Sequence, residues 1–430
     1  EYSKILNSDL NSTVDFYMNL LLDESISNDK ENILKDIFKN SSIAFIYGPA
    51  GTGKTKMIEL LSNAFKNHKK CVIANTNTAV SNLNDRLEID DNLNIMTVNN
   101  FIKYHYEECE LLIIDECSTV SNSDMLKILD KAKYKAIVMV GDIYQIESIR
   151  YGNWFQICSR YFKSGISYEL QMTHRTSDED LLDLWNCVRK NDKRAISIMS
   201  NKEYSEEVSK NIFTRTTSEE IILCLNYDGM YGINNINKVM QNSNNNKEFN
   251  FGVDTFKIDD PVLFNDCPRF NGFLYNNLKG IITDIEEDEN SMWFSIEIDK
   301  NSIRKIFIPS DIQLLDSEKD DKIIIKFKVN EFKDKDDDEN EYDHIIPFNL
   351  SYAISIHKAQ GLEYDSVKVV ITSNIEDRIT KNIFYTAITR AKKNLKVYWS
   401  SDSQDKIFDR FDKNESKRDL GILNQKIKNN

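Results

Sequence analysis

Eight consecutive residues, Gly48-Pro49-Ala50-Gly51-Thr52-Gly53-Lys54-Thr55, follow the apolar run Ile43 to Tyr47 and open an amphipathic stretch. Strand, glycine-rich loop and helix in that order form a phosphate-binding P-loop. Glycines let backbone N–H groups curl around phosphate oxygens, while the helix N-terminus adds its partial positive charge. Lys54 would reach the β- and γ-phosphates, and the Thr55 hydroxyl would hold Mg²⁺. Downstream, Met57, Leu60, Leu61, Ala64 and Phe65 recur at helical spacing, so this helix is expected to bury one face against a sheet. A nucleoside triphosphate is the expected ligand.

Leu111-Leu112-Ile113-Ile114-Asp115-Glu116 is an apolar strand ending in two carboxylates. With a P-loop upstream, both must meet it at the C-terminal edge of one parallel sheet. Asp115 is then placed to hold Mg²⁺ and Glu116 to polarise the attacking water. Val138-Met139-Val140-Gly141-Asp142-Ile143-Tyr144-Gln145-Ile146 repeats the logic, a buried strand delivering a glycine turn and then an amide, Gln145, within reach of the γ-phosphate.

The surrounding pattern alternates. Cys71 to Asn75, Leu93 to Val98, Leu111 to Glu116 and Lys135 to Asp142 read as strands, and Thr78 to Leu87 and Asp124 to Ala132 as helices. Such alternation predicts a parallel sheet covered on both faces. A second α/β set is expected from near Tyr168, with Ser177 and Asp180 capping a helix and Ile221 to Leu225, Val367 to Thr372 and Leu395 to Trp399 as strands. Between about Asp254 and Leu315, short β-rich runs separated by Asn271-Gly272 and Lys279-Gly280 predict a small inserted β-barrel. The expected division is a helical segment over 1–40, a first α/β domain over 41–160, a second over 161–253 and 345–405, the barrel over 254–320, an acidic linker over 321–344 and a polar tail over 406–430.

At 430 residues the chain has room for two or three domains. Its longest apolar runs are strand-length, which argues against a membrane partner, and no secretory signal precedes them. Seven scattered cysteines without a C-x-x-C pair suit a reducing compartment, so a cytoplasmic location is expected. The net charge of −14 weighs against a nucleic-acid partner. Acidic residues crowd into Asp284 to Glu289 and Asp334 to Asp343, however, leaving room for a basic or polar groove elsewhere. The start at Glu1 leaves open a further domain or a protein partner upstream.

The Gly-Asp-x-x-Gln-hydrophobic stretch at Gly141 resembles the third motif of superfamily 1 helicases, and the resemblance continues. Ala74 to Val80 is similar to motif Ia and Thr97 to Phe101 to motif Ib. Tyr168 to Arg175 looks like motif IV, Tyr352 to Gly361 is close to motif V of the RecD-like group, and Tyr385 to Lys392 nearly matches motif VI. The chain thus resembles a superfamily 1B, RecD-like or Dda-like, helicase with two RecA-like P-loop domains. The resemblance implies ATP and Mg²⁺ as cofactors, single-stranded DNA more than RNA as partner, and 5′ to 3′ translocation. Lys54, Glu116, Gln145, Arg175 and Arg390 would be catalytic, with Gly361 and Glu363 joining the P-loop in holding nucleotide. Arg175 and Arg390, placed on the second domain, would make hydrolysis depend on domain closure. Thr76, Asn77, Thr97, Phe101, Ser355 and His357 would touch nucleic-acid backbone without reading bases. Trp154 offers core packing ahead of a stacking face for bases.

The chain departs from the family in two places. Relatives carry an adenine-reading glutamine upstream of the P-loop, whereas no Gln occurs here before Gln145. The interval from Asn84 to Glu110, where relatives carry a strand-separating pin, is nearly filled by motif Ib. A competing reading is therefore a nucleotide-dependent sensor or switch, DNA- or RNA-directed, that does not separate strands.

Overall fold

The computed structural model describes residues 27–39, 41–104, 109–131, 134–146, 152–162, 165–173, 175–217, 219–265, 268–270, 273–303, 308–331 and 342–411. Most of the expected N-terminal segment, the Asn271-Gly272 turn, Tyr151, His174, most of the acidic run before Asp343 and the tail beyond Phe411 lie outside them. Two compact units emerge. One comprises residues 27–202, 377–393 and 404–411, and the other residues 203–376 and 394–403.

The first unit is built on a six-stranded sheet. Its strands are β1 (Ile43–Tyr47), β2 (Lys70–Ala74), β3 (Leu93–Thr97), β4 (Leu111–Asp115), β5 (Ala136–Gly141) and β6 (Ser167–Glu169), in the order β3-β2-β4-β5-β1-β6. Every adjacent pair is parallel. Near-continuous apolar strands are what a parallel sheet covered on both faces requires, and β2, β4 and β5 are buried throughout. On one face, Met57, Ile58, Leu60, Leu61 and Ala64 of the helix Lys54–Ala64 pack against Ile46, Val72 and Val138. On the other, Phe101, Val120, Met125, Ile128 and Phe155 cover Phe45, Ile73 and Met139. Tyr168, expected to open the second α/β set, sits instead in β6 and pairs with Ile46 at the edge of the first sheet. The helix that follows, Glu179–Lys190, is capped by Asp178, whose carboxylate accepts from the N–H groups of Asp180 and Leu181, rather than by Ser177.

The second unit contains most of the sheet β17-β8-β18-β19-β7, formed by β7 (Ser205–Glu206), β8 (Glu220–Cys224), β17 (Ala353–Ser355), β18 (Tyr364–Val370) and β19 (Ala391–Tyr398). β8 pairs in parallel with both β17 and β18. The hairpin β9 (Glu248–Phe251) with β10 (Asp254–Lys257) precedes a separate antiparallel sheet of six strands, ordered β14-β15-β13-β12-β11-β16. These are β11 (Pro261–Phe264), β12 (Lys279–Asp288), β13 (Ser291–Asp299), β14 (Ile312–Asp316), β15 (Lys322–Asn330) and β16 (Phe348–Leu350). Phe256, Phe264, Phe270, Phe294, Phe327 and Phe348 share its core.

Two expectations change here. β15 occupies part of the stretch expected as an acidic linker, because Ile325, Phe327 and Val329 alternate inward and pair with β13. Lys279-Gly280 is not a turn: Gly280 lies within β12, opposite Val262 and Ile298, where a Cβ would come 2.5 Å from Ile296 Cγ2. The glycine serves close packing there. Among the described residues, no helix is long and apolar enough to cross a membrane.

Candidate active site

Three strand ends of the first sheet converge on one edge: β1 delivers the P-loop, β4 delivers Asp115 and Glu116, and β5 delivers Gly141 and Asp142. The loop is braced by Gly48 N–H donating to Gly141 O at 3.2 Å and by Thr52 Oγ1 donating to Pro49 O at 2.9 Å. Gly51 and Gly53 both take left-handed backbone, φ +78° and +77°, which opens the loop's N–H groups to one side. A Cβ on Gly51 would lie 2.2 Å from Arg175 Cβ, so the arginine's backbone is seated directly on the loop. This narrow glycine cradle at a helix N-terminus fits a polyphosphate.

Lys54 opens the helix and donates to Gly48 O at 2.8 Å and Pro49 O at 2.9 Å. Burial lowers its proton affinity, and the carboxylates of Asp142 and Asp115 pull it back up, while Arg175 and Arg390 depress it further. Asp142, Asp115, Arg175 and Arg390 thus lie within electrostatic reach of the Lys54 ammonium. In Asp115 burial raises the carboxyl, opposed by the Glu116 N–H, which Asp115 Oδ1 accepts at 2.8 Å, and by Lys54. Asp142 is likewise raised by burial and countered first by Lys54.

Glu116 follows the strand in left-handed backbone, φ 51° and ψ 37°, a conformation costing a non-glycine residue roughly 1 kcal/mol. Its carbonyl is tied down by Thr119, through N–H at 2.9 Å and Oγ1 at 2.8 Å. Burial pushes the Glu116 carboxyl up to about 7, Asp115 adds to the rise, and the Thr76 hydroxyl, donating to Oε2 at 3.3 Å, opposes it. A carboxylate so tuned suits a general base.

Both arginines belong to the first unit, not to a second domain as expected. The segment Asp377–Lys393 returns to this unit, and its helix Lys381–Ile388 presents Thr386, which accepts from Ile146 N–H at 3.0 Å. Arg390 is only 1% exposed, its Nε donating to Thr386 O at 2.9 Å and Nη2 to Thr389 Oγ1 at 3.1 Å. Arg175 Nη1 donates to Thr389 O at 3.0 Å, so one short segment holds both guanidiniums. Gln145 donates to Asp142 Oδ2 at 3.1 Å, tying its amide to the same cluster.

The residues expected to meet nucleic acid fare differently. Thr76 caps the helix Asn77–Arg86 by accepting from Ala79 N–H, and Thr97 caps Val98–Lys103 by accepting from Asn100 N–H. Asn77 is half-buried beside the first of these caps. Phe101 is 3% exposed among Ile73, Met125 and Ile128, so it is core rather than a nucleic-acid contact. Trp154 donates to Val120 O at 2.8 Å and stands edge-on to Phe155, the packing role of its two readings. In the second unit Ser355 is buried and accepts from Lys358 N–H, His357 is exposed, Gly361 takes φ +80°, and Glu363 O accepts from Lys279 Nζ at 2.6 Å.

Sequence reasoning missed three participants: Asp142 as a member of the charge cluster, Thr76 as the partner of Glu116, and Lys30, whose Cε lies 2.9 Å from where a Gly53 Cβ would be. Asp142 stood inside a motif already recognised. Nothing local marks Lys30.

Residues 25–210 match the AAA domain family and residues 350–398 the UvrD-like helicase C-terminal domain. The two matches, the motif order and the relatives below support a RecD/Pif1-like helicase of superfamily 1B. RecD, a RecBCD enzyme subunit of Buchnera aphidicola subsp. Schizaphis graminum, is 22% identical across 83% of this chain and 70% of its own length. The ATP-dependent DNA helicase Pif1 of Campylobacter jejuni is 22% identical, with 82% and 88% covered. Pif1 helicase from Candida albicans superposes with a TM-score of 0.53 at 17% identity, covering 87% of this chain and 94% of that one. Bacteroides Pif1 bound to ssDNA gives 0.50 at 16% identity, with 91% and 92% covered. The mixed α/β fold seen here fits the two RecA-like domains of these Pif1 structures.

Proposed function

We propose that this RecD/Pif1-like chain is an ATP-hydrolysing motor that translocates 5′ to 3′ on single-stranded DNA. One observation carries the reading: Lys54, Asp115, Glu116, Asp142, Arg175 and Arg390 share a single charge cluster at the C-terminal edge of a parallel sheet, beside a glycine cradle. Backbone N–H groups from Gly48 to Thr55 hold the polyphosphate. Lys54, Arg175 and Arg390 neutralise charge on the transferring phosphoryl group, a role worth about 10³ to 10⁵ in rate for one well-placed arginine. Glu116 accepts the proton of the attacking water. Thr55 and Asp115 offer the hydroxyl and carboxylate oxygens suited to Mg²⁺, which when bound supplies further neutralisation of the phosphate oxygens.

Gln145 senses the phosphate through Asp142, and Gly361 and Glu363 are further proposed nucleotide contacts. Thr76, Asn77, Thr97, Ser355 and His357 are the proposed strand contacts, and Thr76 would connect strand binding to Glu116 through its hydroxyl. The antiparallel sheet β11 to β16 is proposed to close as a small barrel. Its exposed Glu286, Glu287 and Asp288 suit a protein partner better than a phosphate backbone. DNA is favoured over RNA because the Pif1 relative is named for DNA and the Bacteroides Pif1 holds ssDNA.

Phosphate release with and without oligo-dT and oligo-U, beside a Lys54→Ala control, tests the proposal. Stimulation by oligo-dT that vanishes in the control supports it; turnover indifferent to any strand would refute the motor. The RecD and Pif1 relatives do not favour the sensor alternative, and a forked-duplex unwinding assay distinguishes it.

A further inference from the structure

Asp260 has no part in the chemistry above, yet the second unit is built closely around it. It is the residue before β11 and is 0% exposed. Its Oδ2 accepts from Gln241 Nε2 at 2.6 Å and from the Lys257 backbone N–H at 2.8 Å. Its Oδ1 accepts from Asn244 Nδ2 at 3.0 Å and from the Tyr352 hydroxyl at 2.8 Å. A buried carboxylate is costly unless its oxygens are satisfied, and here each oxygen receives two donors. Gln241 and Asn244 lie in and just beyond the helix Ile233–Asn242, Lys257 ends β10, and Tyr352 immediately precedes β17.

Tyr352 is the link to Ser355 and His357, which follow it in the chain. The helix that carries Gln241 also carries Asn237, and Asn237 grips β17 directly. Its Nδ2 donates to Ala353 O at 3.0 Å and its Oδ1 accepts from Ala353 N–H at 2.8 Å. Ser351 N–H donates to Pro261 O at 2.8 Å, which joins the same segment to β11 of the antiparallel sheet. The Asp260 carboxylate therefore sits where helix, antiparallel sheet and β17 meet. Burial, and then the Asp260 charge, push the Tyr352 hydroxyl up, so it keeps the proton it donates. A tyrosine has only two rotatable side-chain bonds, so fixing its hydroxyl fixes the course of its backbone.

Resting on the strand contacts proposed above, we propose that Asp260 is a positioning residue for them: through Tyr352 it holds β17 where Ser355 and His357 meet the phosphate backbone of single-stranded DNA. Buried as it is, Asp260 itself reaches no strand. Hydrogen bonds to a charged acceptor are roughly twice as strong as neutral ones, which suits a joint between three elements. Loosening that joint weakens the hold on DNA and leaves the chemistry of the first unit intact.

Fluorescence anisotropy of dye-labelled oligo-dT on the full chain tests this, beside mant-ATP titration, phosphate release without DNA and a thermal melt. Tyr352→Phe removes one hydroxyl and keeps the ring; it is expected to raise the oligo-dT Kd by roughly threefold or more. Asp260→Asn turns an N–H toward two donors and is expected to raise it by roughly tenfold or more. In both, mant-ATP affinity and release without DNA are expected to stay within about twofold of wild type. A merely structural Asp260 would lower the melt and leave the oligo-dT Kd of Tyr352→Phe unmoved. An oligo-dT Kd within about twofold of wild type in either folded variant overturns the inference. So does a parallel loss of mant-ATP affinity, which would mark a general loss of fold. Should Asp260→Asn fail to fold, Tyr352→Phe decides alone. A wild type that does not bind oligo-dT would refute the strand reading itself, and the inference with it.

Discussion

Replacing Gly51 by alanine places a methyl group where the structure has no room. The new Cβ would stand 2.2 Å from Arg175 Cβ, 2.9 Å from its N and 3.1 Å from its Cα. Carbon atoms rest comfortably at about 3.5–4.0 Å, so loop and Arg175 segment must part by more than an ångström. Backbone and Cβ cannot rotate out of the way as a flexible side-chain end would. At φ +78° the alanine also takes a left-handed conformation costing about 1–2 kcal/mol. Overpacking of this kind costs a further 1–3 kcal/mol or so. If the loop relaxes by separating from Arg175, most of that total of about 2–5 kcal/mol falls on the nucleotide-competent loop rather than on the fold. At about 1.4 kcal/mol per decade, affinity then drops by roughly 30-fold to a few thousand-fold. The assay is titration with a mant-nucleotide, with a thermal melt alongside. Binding of Gly51→Ala within threefold of wild type, on an unchanged melt, would refute the seating of Arg175 on the loop.

Other substitutions probe the remaining parts. Glu116→Gln keeps shape but removes the base, so single-turnover phosphate release should fall by 10² or more while mant-nucleotide binding persists; retained turnover means the base is misassigned. Arg390→Lys keeps a charge but loses the planar fork that bonds both Thr386 O and Thr389 Oγ1, and should cost turnover at least tenfold with nucleotide affinity changed far less. Gly280→Ala crowds Ile296 Cγ2 at 2.5 Å and should destabilise the antiparallel sheet by about 1–3 kcal/mol in a urea melt, leaving nucleotide binding intact.

The first sheet was readable because its elements announce themselves locally. β4 and β5 are uninterrupted apolar runs, and the helix after the P-loop repeats apolar residues at helical spacing. Juxtapositions across the chain were not readable. Lys30 meets Gly53, and Thr76 meets Glu116, only through the order in which the strands pack. Gly280 misled because glycine marks a turn and a close approach with the same letter. Phe101 misled because an aromatic beside a motif reads alike whether it stacks on a base or fills a core. The arginines were expected on a second domain because motif order separates them from the P-loop, while the chain threads residues 377–393 back into the first unit.

Strand-stimulated phosphate release remains the most direct measurement of the central claim, that one charge cluster hydrolyses triphosphate in step with movement along DNA. Steady-state release should rise several-fold or more with oligo-dT and fall to background in Lys54→Ala. Release that stays the same with and without DNA, in a protein that binds both nucleotide and oligo-dT, would contradict the account.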